Sequence, residues 1–310
     1  MTVRVSIVLL THNGASTLPE VLEAVAAQRC EHQVEVVAVD SGSTDGTLSL
    51  LEGRVDRLVR IAPEEFDHGL TRNLGIDASA GDLIVLLVQD AVPAGHDWLA
   101  ALTAPLGADP QVAGTFARQQ PRHDATAITR HYFDRWAGAS PHPRTEELSD
   151  QADLDQLAPQ ARLDRCTFDN VCSCIRRSVW QQHPFRSTPI GEDIEWAKEV
   201  LLAGYRLTYV PGAVVTHSHD RPASYEFART YALHRRLHDL FGLRTIPSIP
   251  LLVRAVLSSV VLHTRCQRQE QGRRTSYTRA LALAVAWPFG QYLGALSAAR
   301  KWKPLRLRKV

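Results

Sequence analysis

A chain of 310 residues, 45% hydrophobic and 22% charged, is long enough for one large domain or a domain with a small appendage, and its composition is that of a soluble globular protein. Thirty-five Lys+Arg against 33 Asp+Glu leave a formal charge of +2, which excludes a nucleic-acid binder held by bulk charge. The five cysteines (Cys30, Cys166, Cys172, Cys174, Cys266) are odd in number and include no CxxC, which argues against a zinc ribbon or disulfide framework and for a reducing compartment.

In chain order, the apolar run Val5 to Leu10 is too short for a signal-peptide core. It predicts a buried first strand and a chain that starts and stays in the cytoplasm. THNGAST reads as a loop, and residues 18–28 have helical spacing with Pro19 near the first turn. A second buried strand over 34–39 ends at Asp40, and SGSTDG turns into a short helix at 47–51. A strand over 58–61, a helix over 71–78 and a strand over 83–88 follow. Strand and helix alternating in this way predict an α/β fold with a mostly parallel sheet covered on both faces. Beyond it, residues 137–163 are polar and Pro-containing and predict an exposed loop. Structure resumes at 166–176; Cys172 and Cys174 alternate there, which predicts that one of them faces the core. A helix over 193–203 is closed by Gly204, two strand pieces (207–210 and 213–216) flank Pro211-Gly212, and the pattern is helical after 222.

Loops beyond the carboxyl ends of parallel strands form the ligand crevice of such sheets, and Asn13, Asp40 and Asp90 fall there. Asp40, at the end of VEVVAVD, can accept a hydrogen bond from a nucleobase or ribose, or it can cap the next turn. Asp90 closes LIVLLVQD; it is either a turn acid before Pro93 or a ligand to a hard divalent cation beside phosphate oxygens. VPGAVVTHSHD offers His217 and His219 at a strand end. Glu192-Asp193 opens a helix, where acids suit the dipole, or it supplies a catalytic base. Arg72 and Asn73 near a helix start suit a diphosphate.

Together, VSIVLLTHN, VEVVAVDSGSTDGT, GDLIVLLVQDAVP and GEDIEWAKEVLLAGYRLTYVPGAVVTH resemble the family 2 inverting nucleotide-sugar glycosyltransferases of GT-A fold. FDHGLTRNLGI with QDAVP looks like the rhamnosyltransferase branch. The resemblance covers roughly residues 3–245. It implies a GT-A domain over 1–245, with a nucleotide-sugar half (1–105) and an acceptor half (106–245). It implies Asp193 as the base that deprotonates the acceptor hydroxyl, with Glu192 positioning it, and Mn²⁺ or Mg²⁺ held by Asp90 and His217, with His219 the fallback. Thr11, Asn13, Asp40, His68, Arg72, Asn73, Gln89 and Asp90 would face the donor, and Asn170 the acceptor sugar. One departure stands out: the family's DxD reads Val88-Gln89-Asp90 here, which leaves Gln89 a neutral role near the ribose. The implied reaction moves L-rhamnose from dTDP-rhamnose to a hydroxyl of a cell-surface glycan or lipid-linked precursor. Alternatives are another nucleotide sugar, a polyprenyl-phosphate acceptor, or a non-catalytic nucleotide-sugar-binding protein.

Residues 246–310 form a further helical segment. Residues 280–299 carry no charge, residues 249–262 are apolar, and RKWKPLRLRK follows at 300–309. The pattern predicts helices packed on the catalytic domain at the inner membrane surface, with Trp287, Tyr292, Trp302 and the basic tail at the headgroups. A homodimer interface or core packing is the alternative, and a true span is disfavoured by Pro288, Gly290, Gln291 and Gly294.

Overall fold

The computed structural model describes residues 3–269 and 276–305; the end of the basic tail, 306–309, lies outside them. The first half alternates as expected: β1 (Arg4–Thr11), α1 (Leu18–Ala26), β2 (Gln33–Asp40), α2 (Thr47–Leu51), β3 (Arg57–Arg60), α3 (His68–Asp77), β4 (Leu83–Val88). Then come β5 (Val92–Pro93), α4 (Trp98–Ala108), β6 (Val112–Gln120) and α5 (Ala127–Phe133). One nine-stranded sheet runs β3-β2-β1-β4 in parallel pairs, then turns antiparallel where β4 meets β8 (Cys172–Arg176). It continues through β6 to β9 (Arg206–Thr216) and β5.

Register places the site. Thr11 pairs with Asp40 and Leu10 with Val88, so the residues following β1, β2 and β4 share one sheet edge. Val88 N–H donates to Val171 O at 3.1 Å, and His217 N–H to Gln120 O at 2.9 Å. These bonds carry Asp169–Asn170 and His217 to the same edge.

Both sheet faces are covered. β1, β4 and β8 contribute residues to two separate apolar clusters, one with α1 and α4 and one with Ile76, Trp180 and Trp196. Double coverage explains why these strands read as continuous apolar runs rather than alternating ones. Cys172 and Cys174 are both in the core, because residues two apart on a strand share a face. All five cysteines are free.

Three expectations about element order and bounds are corrected, besides those for the cysteine pair and Trp287. Residues 137–163 are structured: β7 (Arg144–Glu146), α6 (Gln151–Gln156) and α7 (Pro159–Arg165) lie there. Tyr209 Oη donates to the carbonyls of Gly138 and Ser140, Asp150 caps α6, and Leu154 is buried. A polar segment is ordered by local caps and one anchor, which periodicity does not reveal. The two pieces around Pro211-Gly212 are one strand, β9, which absorbs the pair as a register shift against β6 between Ala117 and Arg118. Helix α3 begins at His68, three residues earlier than its apolar spacing, because Asp67 accepts from Gly69 N–H and Leu70 N–H.

After α8 (Arg177–Gln182) and α9 (Glu192–Leu202), three long helices close the chain: α10 (Ala223–Phe241), α11 (Ile249–Gln269) and α12 (Tyr277–Ala299). Here α12 lies on α10 at backbone distance; a Cβ at Gly294 would sit 2.4 Å from Tyr231 O, so only glycine fits. Trp287 turns inward rather than to the surface. Its Nε1 donates to Glu226 Oε2 at 3.1 Å and its ring meets Tyr132 at 4.7 Å.

Candidate functional site

The loops after β1 and β2 form a cradle in which most polar groups bond one another, the buried Ser41 hydroxyl being left without a partner. Buried Asp40 accepts from Thr11 Oγ1 at 3.0 Å and from Ser43 through both its N–H and its hydroxyl. Asn13 sits at φ 48°, a left-handed conformation that asparagine tolerates, and its Oδ1 accepts from Thr44 N–H at 2.9 Å. Gln89 clamps this loop from β4: Oε1 accepts from His12 N–H at 2.8 Å and Nε2 donates to His12 O at 2.9 Å. A Cβ at Gly14 would lie 2.2 Å from Gln89 Oε1, so a larger residue there would displace this clamp. The neutral amide at the middle position of the Val88-Gln89-Asp90 triplet therefore holds the loop backbone; a carboxylate could accept from the N–H but not donate to the carbonyl.

Asp90 meets both histidines. His217 Nε2 lies 3.6 Å from Asp90 Oδ1, His219 Nε2 lies 3.4 Å from Oδ2, and the two imidazole nitrogens are 3.1 Å apart. The surrounding bonds fix the tautomer of His217. Gln119 Nε2 donates to Asp169 Oδ2 at 2.6 Å, which turns Gln119 Oε1 toward His217 Nδ1 at 2.8 Å. Nδ1 must then carry the proton, and Nε2 presents a lone pair to Asp90 and His219. Burial lowers the pKa of His217 to about 4 and lowers that of His219, with Asp90 opposing in both cases, so both rings are neutral at pH 7. One carboxylate and two neutral imidazoles, their ligand atoms within 4.8 Å of one another, fit a divalent cation. Gln119 is the second-layer support that such ligands need.

A third group is anionic and crowded. Glu192 is buried and pairs with Arg72, Nη1 to Oε1 3.0 Å. Burial raises its pKa, but Arg72 and His68 outweigh that and hold the carboxyl below its usual range. Asp193, the next residue, is pushed the other way: burial, then Glu192, then Asp169 hold its carboxyl well above 3.8. The residue as a whole is half-buried. Asp169 rises to about 6 by burial, although Val171 N–H and Arg229 favour its charge. Left-handed Gly191 (φ 76°) turns the chain into α9 and sets both acids in the first helical turn.

The structure turns several predicted donor and acceptor contacts inward. Arg72 is buried against Glu192 and also donates to His68 O. The Asn73 amide is taken up between Trp180 Nε1, Phe185 N–H and Phe185 O, tying α3 to the segment after α8. Asn170 is buried, donating to Glu192 Oε1 at 3.3 Å and accepting from Ser173 Oγ. Conversely Gln119, Asp169 and Arg229 belong to the site and were missed. Gln119 and Asp169 lie on or beside strands whose register, not whose sequence spacing, brings them there, and Arg229 comes from α10. Asp169 joins the two centres: its side chain reaches the Gln119–His217 pair, and its neighbour Asn170 reaches the acids of α9.

Residues 6–168 match the family described as Glycosyl transferase family 2, and the chain belongs to that family. It is a glycosyltransferase. Over 233 residues it is 29% identical to the O-antigen chain rhamnosyltransferase RfbN of Salmonella typhimurium, covering 74% of this chain and 70% of that one. It is 30% identical to the O-antigen chain rhamnosyltransferase WbaN of Salmonella anatum over 64% of this chain and 60% of that one. In fold it is similar to a mannosyltransferase of Pyrobaculum calidifontis in complex with GDP-Man and Mn²⁺, at TM-score 0.56, 19% identity and coverage of 98% and 77%. Glucosyl-3-phosphoglycerate synthase of Mycobacterium tuberculosis, with Mn²⁺, UDP-Glc and phosphoglyceric acid, aligns at TM-score 0.55 and 18% identity over 78% of this chain and 80% of that one. The shared fold is the GT-A fold expected from the sequence.

Proposed function

We propose that the chain transfers L-rhamnose from dTDP-rhamnose to a hydroxyl of a lipid-linked or cell-surface glycan, with inversion at the anomeric carbon. The observation that carries this is Asp193: a carboxyl kept basic by burial and two neighbouring acids, at the same sheet edge as a three-ligand cation cluster. An acid with a raised pKa is a stronger base once ionised, which is what removing an acceptor hydroxyl's proton requires. Glu192 stays charged through Arg72 and keeps Asp193 basic, so it acts through Asp193 rather than on substrate.

Asp90, His217 and His219 would hold Mn²⁺ or Mg²⁺, which supplies charge neutralisation for a diphosphate leaving group. The cradle of Thr11, Asn13, Asp40 and Ser43 would seat the nucleoside. Arg221 and Arg229, both exposed and both close enough to depress the histidine pKa values, would meet the diphosphate in place of the inward-turned Arg72. The names of the two Salmonella relatives support rhamnose as the sugar. The test is turnover on dTDP-L-rhamnose, GDP-mannose and UDP-glucose with Mn²⁺ and with EDTA. Release of dTDP that requires the cation is the expected result; preference for either other donor would reject the sugar assignment.

A further inference from the structure

Helices α11 and α12 leave a face that no other described element covers. On α11, Ile249, Val253, Leu257 and Val261 recur every four residues and all are exposed, Ile249 at 63% and Leu257 at 62%. On α12, Tyr277, Leu281, Val285 and Phe289 repeat the spacing and are exposed as well. Four-residue spacing puts each set along one side of its helix, and the rings of His263 and Trp287, 5.3 Å apart, join the two helices. Exposed apolar side chains on a soluble surface are ordinarily scattered; two adjoining stripes make a contiguous patch.

Charge identifies what the patch fits. Residues 246–310 hold 12 of the 35 Lys+Arg and one of the 33 Asp+Glu, while the rest of the chain carries 23 cations against 32 acids. The near-neutral total conceals a strongly cationic end on an anionic body. Arg254, Arg265, Arg268, Arg300, Lys301 and Lys303 are exposed, and among the described residues none of them forms an ion pair.

We propose that this face docks on the surface of an anionic lipid bilayer and lies in its interface rather than spanning it. A second copy would bring an equally cationic face and repel. Either helix is long and apolar enough to cross a membrane, but the opposite side of α12 is packed on α10 through Gly290 and Gly294 and cannot also face lipid. Trp302, 47% exposed just past α12, is placed for the headgroup layer. Leu283 and Trp287 of α12 line the same small cavity as His219 and Asp220. Docking would therefore hold the cation cluster about one helix diameter, roughly 10 Å, from the lipid surface. Resting on the proposed function, this geometry favours an acceptor sugar carried on a lipid.

The test is co-sedimentation of the full chain with phosphatidylcholine vesicles, with and without phosphatidylglycerol, at low and high salt. Pelleting with the anionic vesicles and release by salt are expected. Removing three cations together (Arg265→Ser, Arg268→Ser, Lys301→Ser) should weaken partitioning on the order of a hundredfold. The set Leu257→Glu, Val261→Glu, Leu281→Glu should abolish it, with circular dichroism and Mn²⁺ binding unchanged. A chain that stays in the supernatant with anionic vesicles at low salt would overturn the proposal. So would bound protein that resists alkaline carbonate, the mark of a span, or a solution dimer that the Leu257→Glu set dissolves. Lipid binding needs no donor, so failure here is separate from failure of the donor panel.

Discussion

The two halves of the crevice satisfy their polar groups in opposite ways. After β1 and β2, Thr11, Asn13, Asp40, Ser43 and Gln89 hydrogen-bond one another and the loop backbone, so these five side chains are held by the protein itself. Around β8, α9 and the end of β9, four carboxyl groups and two neutral imidazoles are crowded, and among the described residues Arg72 is the one buried cation set there. The first half is preorganised by hydrogen bonds that its own loops donate to Asp40 and Asn13. The second holds unfavourable charge that a cation, a proton or a substrate would relieve. Binding surface and reactive surface are thus built from different physics on one sheet edge.

The sharpest way to break this contrast is Asp193→Asn, which keeps size and one acceptor oxygen, enough for the shorter bond from Ile194 N–H, but cannot take up a proton. The expected loss in kcat is about 10²–10⁴-fold, with donor Kd unchanged. Its stability should move oppositely to a structural acid's. A carboxyl whose folded pKa is raised above 3.8 contributes stability only while protonated, and that contribution is lost as pH rises through the folded value. The variant should therefore melt no lower than the parent at pH 8, and the parent's kcat/KM should rise with pH through an apparent pKa above 3.8. A lower melting temperature with full activity would make Asp193 a helix-terminal acid only.

Next in size is the buried pair. Arg72→Met leaves Glu192 buried and uncompensated, and denaturant unfolding should show a loss of about 3–5 kcal/mol. If Arg72 instead served the diphosphate directly, stability would hold and donor Kd would rise. Gln119→Leu removes the acceptor that orients His217 and should weaken Mn²⁺ affinity about 10–100-fold while leaving the fold intact. An unchanged affinity would remove Gln119 from the centre. Smallest is Gln89→Ala. Two hydrogen bonds to the His12 peptide, each worth about 0.5–1.5 kcal/mol, are lost, so donor Kd should weaken with little change in Mn²⁺ binding.

The same contrast explains what could be read in the sequence. Asp40, Asp90, His217 and the Glu192-Asp193 pair sit directly at strand ends or a helix start, where periodicity and turn residues locate them. Gln119 and Asp169 come from β6 and the approach to β8, strands whose neighbours are fixed by antiparallel and crossover pairing that no local pattern encodes. Arg72 and Asn73 suit a diphosphate by residue type and their place near a helix start, and Asn170 is given to the acceptor by the family resemblance. Only packing shows that Glu192, Trp180 and Ser173 have claimed them. The hidden order of 137–163 has the same cause: one buried leucine and a tyrosine hydroxyl reaching two carbonyls from β9.

The central claim is that Asp90, His217 and His219 form one cation centre, and titration of Mn²⁺ followed by the electron paramagnetic resonance of the free ion tests it without a substrate. One Mn²⁺ should be taken up per chain. Asp90→Ala should abolish uptake, and His217→Ala and His219→Ala should each weaken it at least about tenfold. Uptake unchanged in all three variants would contradict the centre and, with it, the division of the crevice into a hydrogen-bonded cradle and a crowded reactive edge.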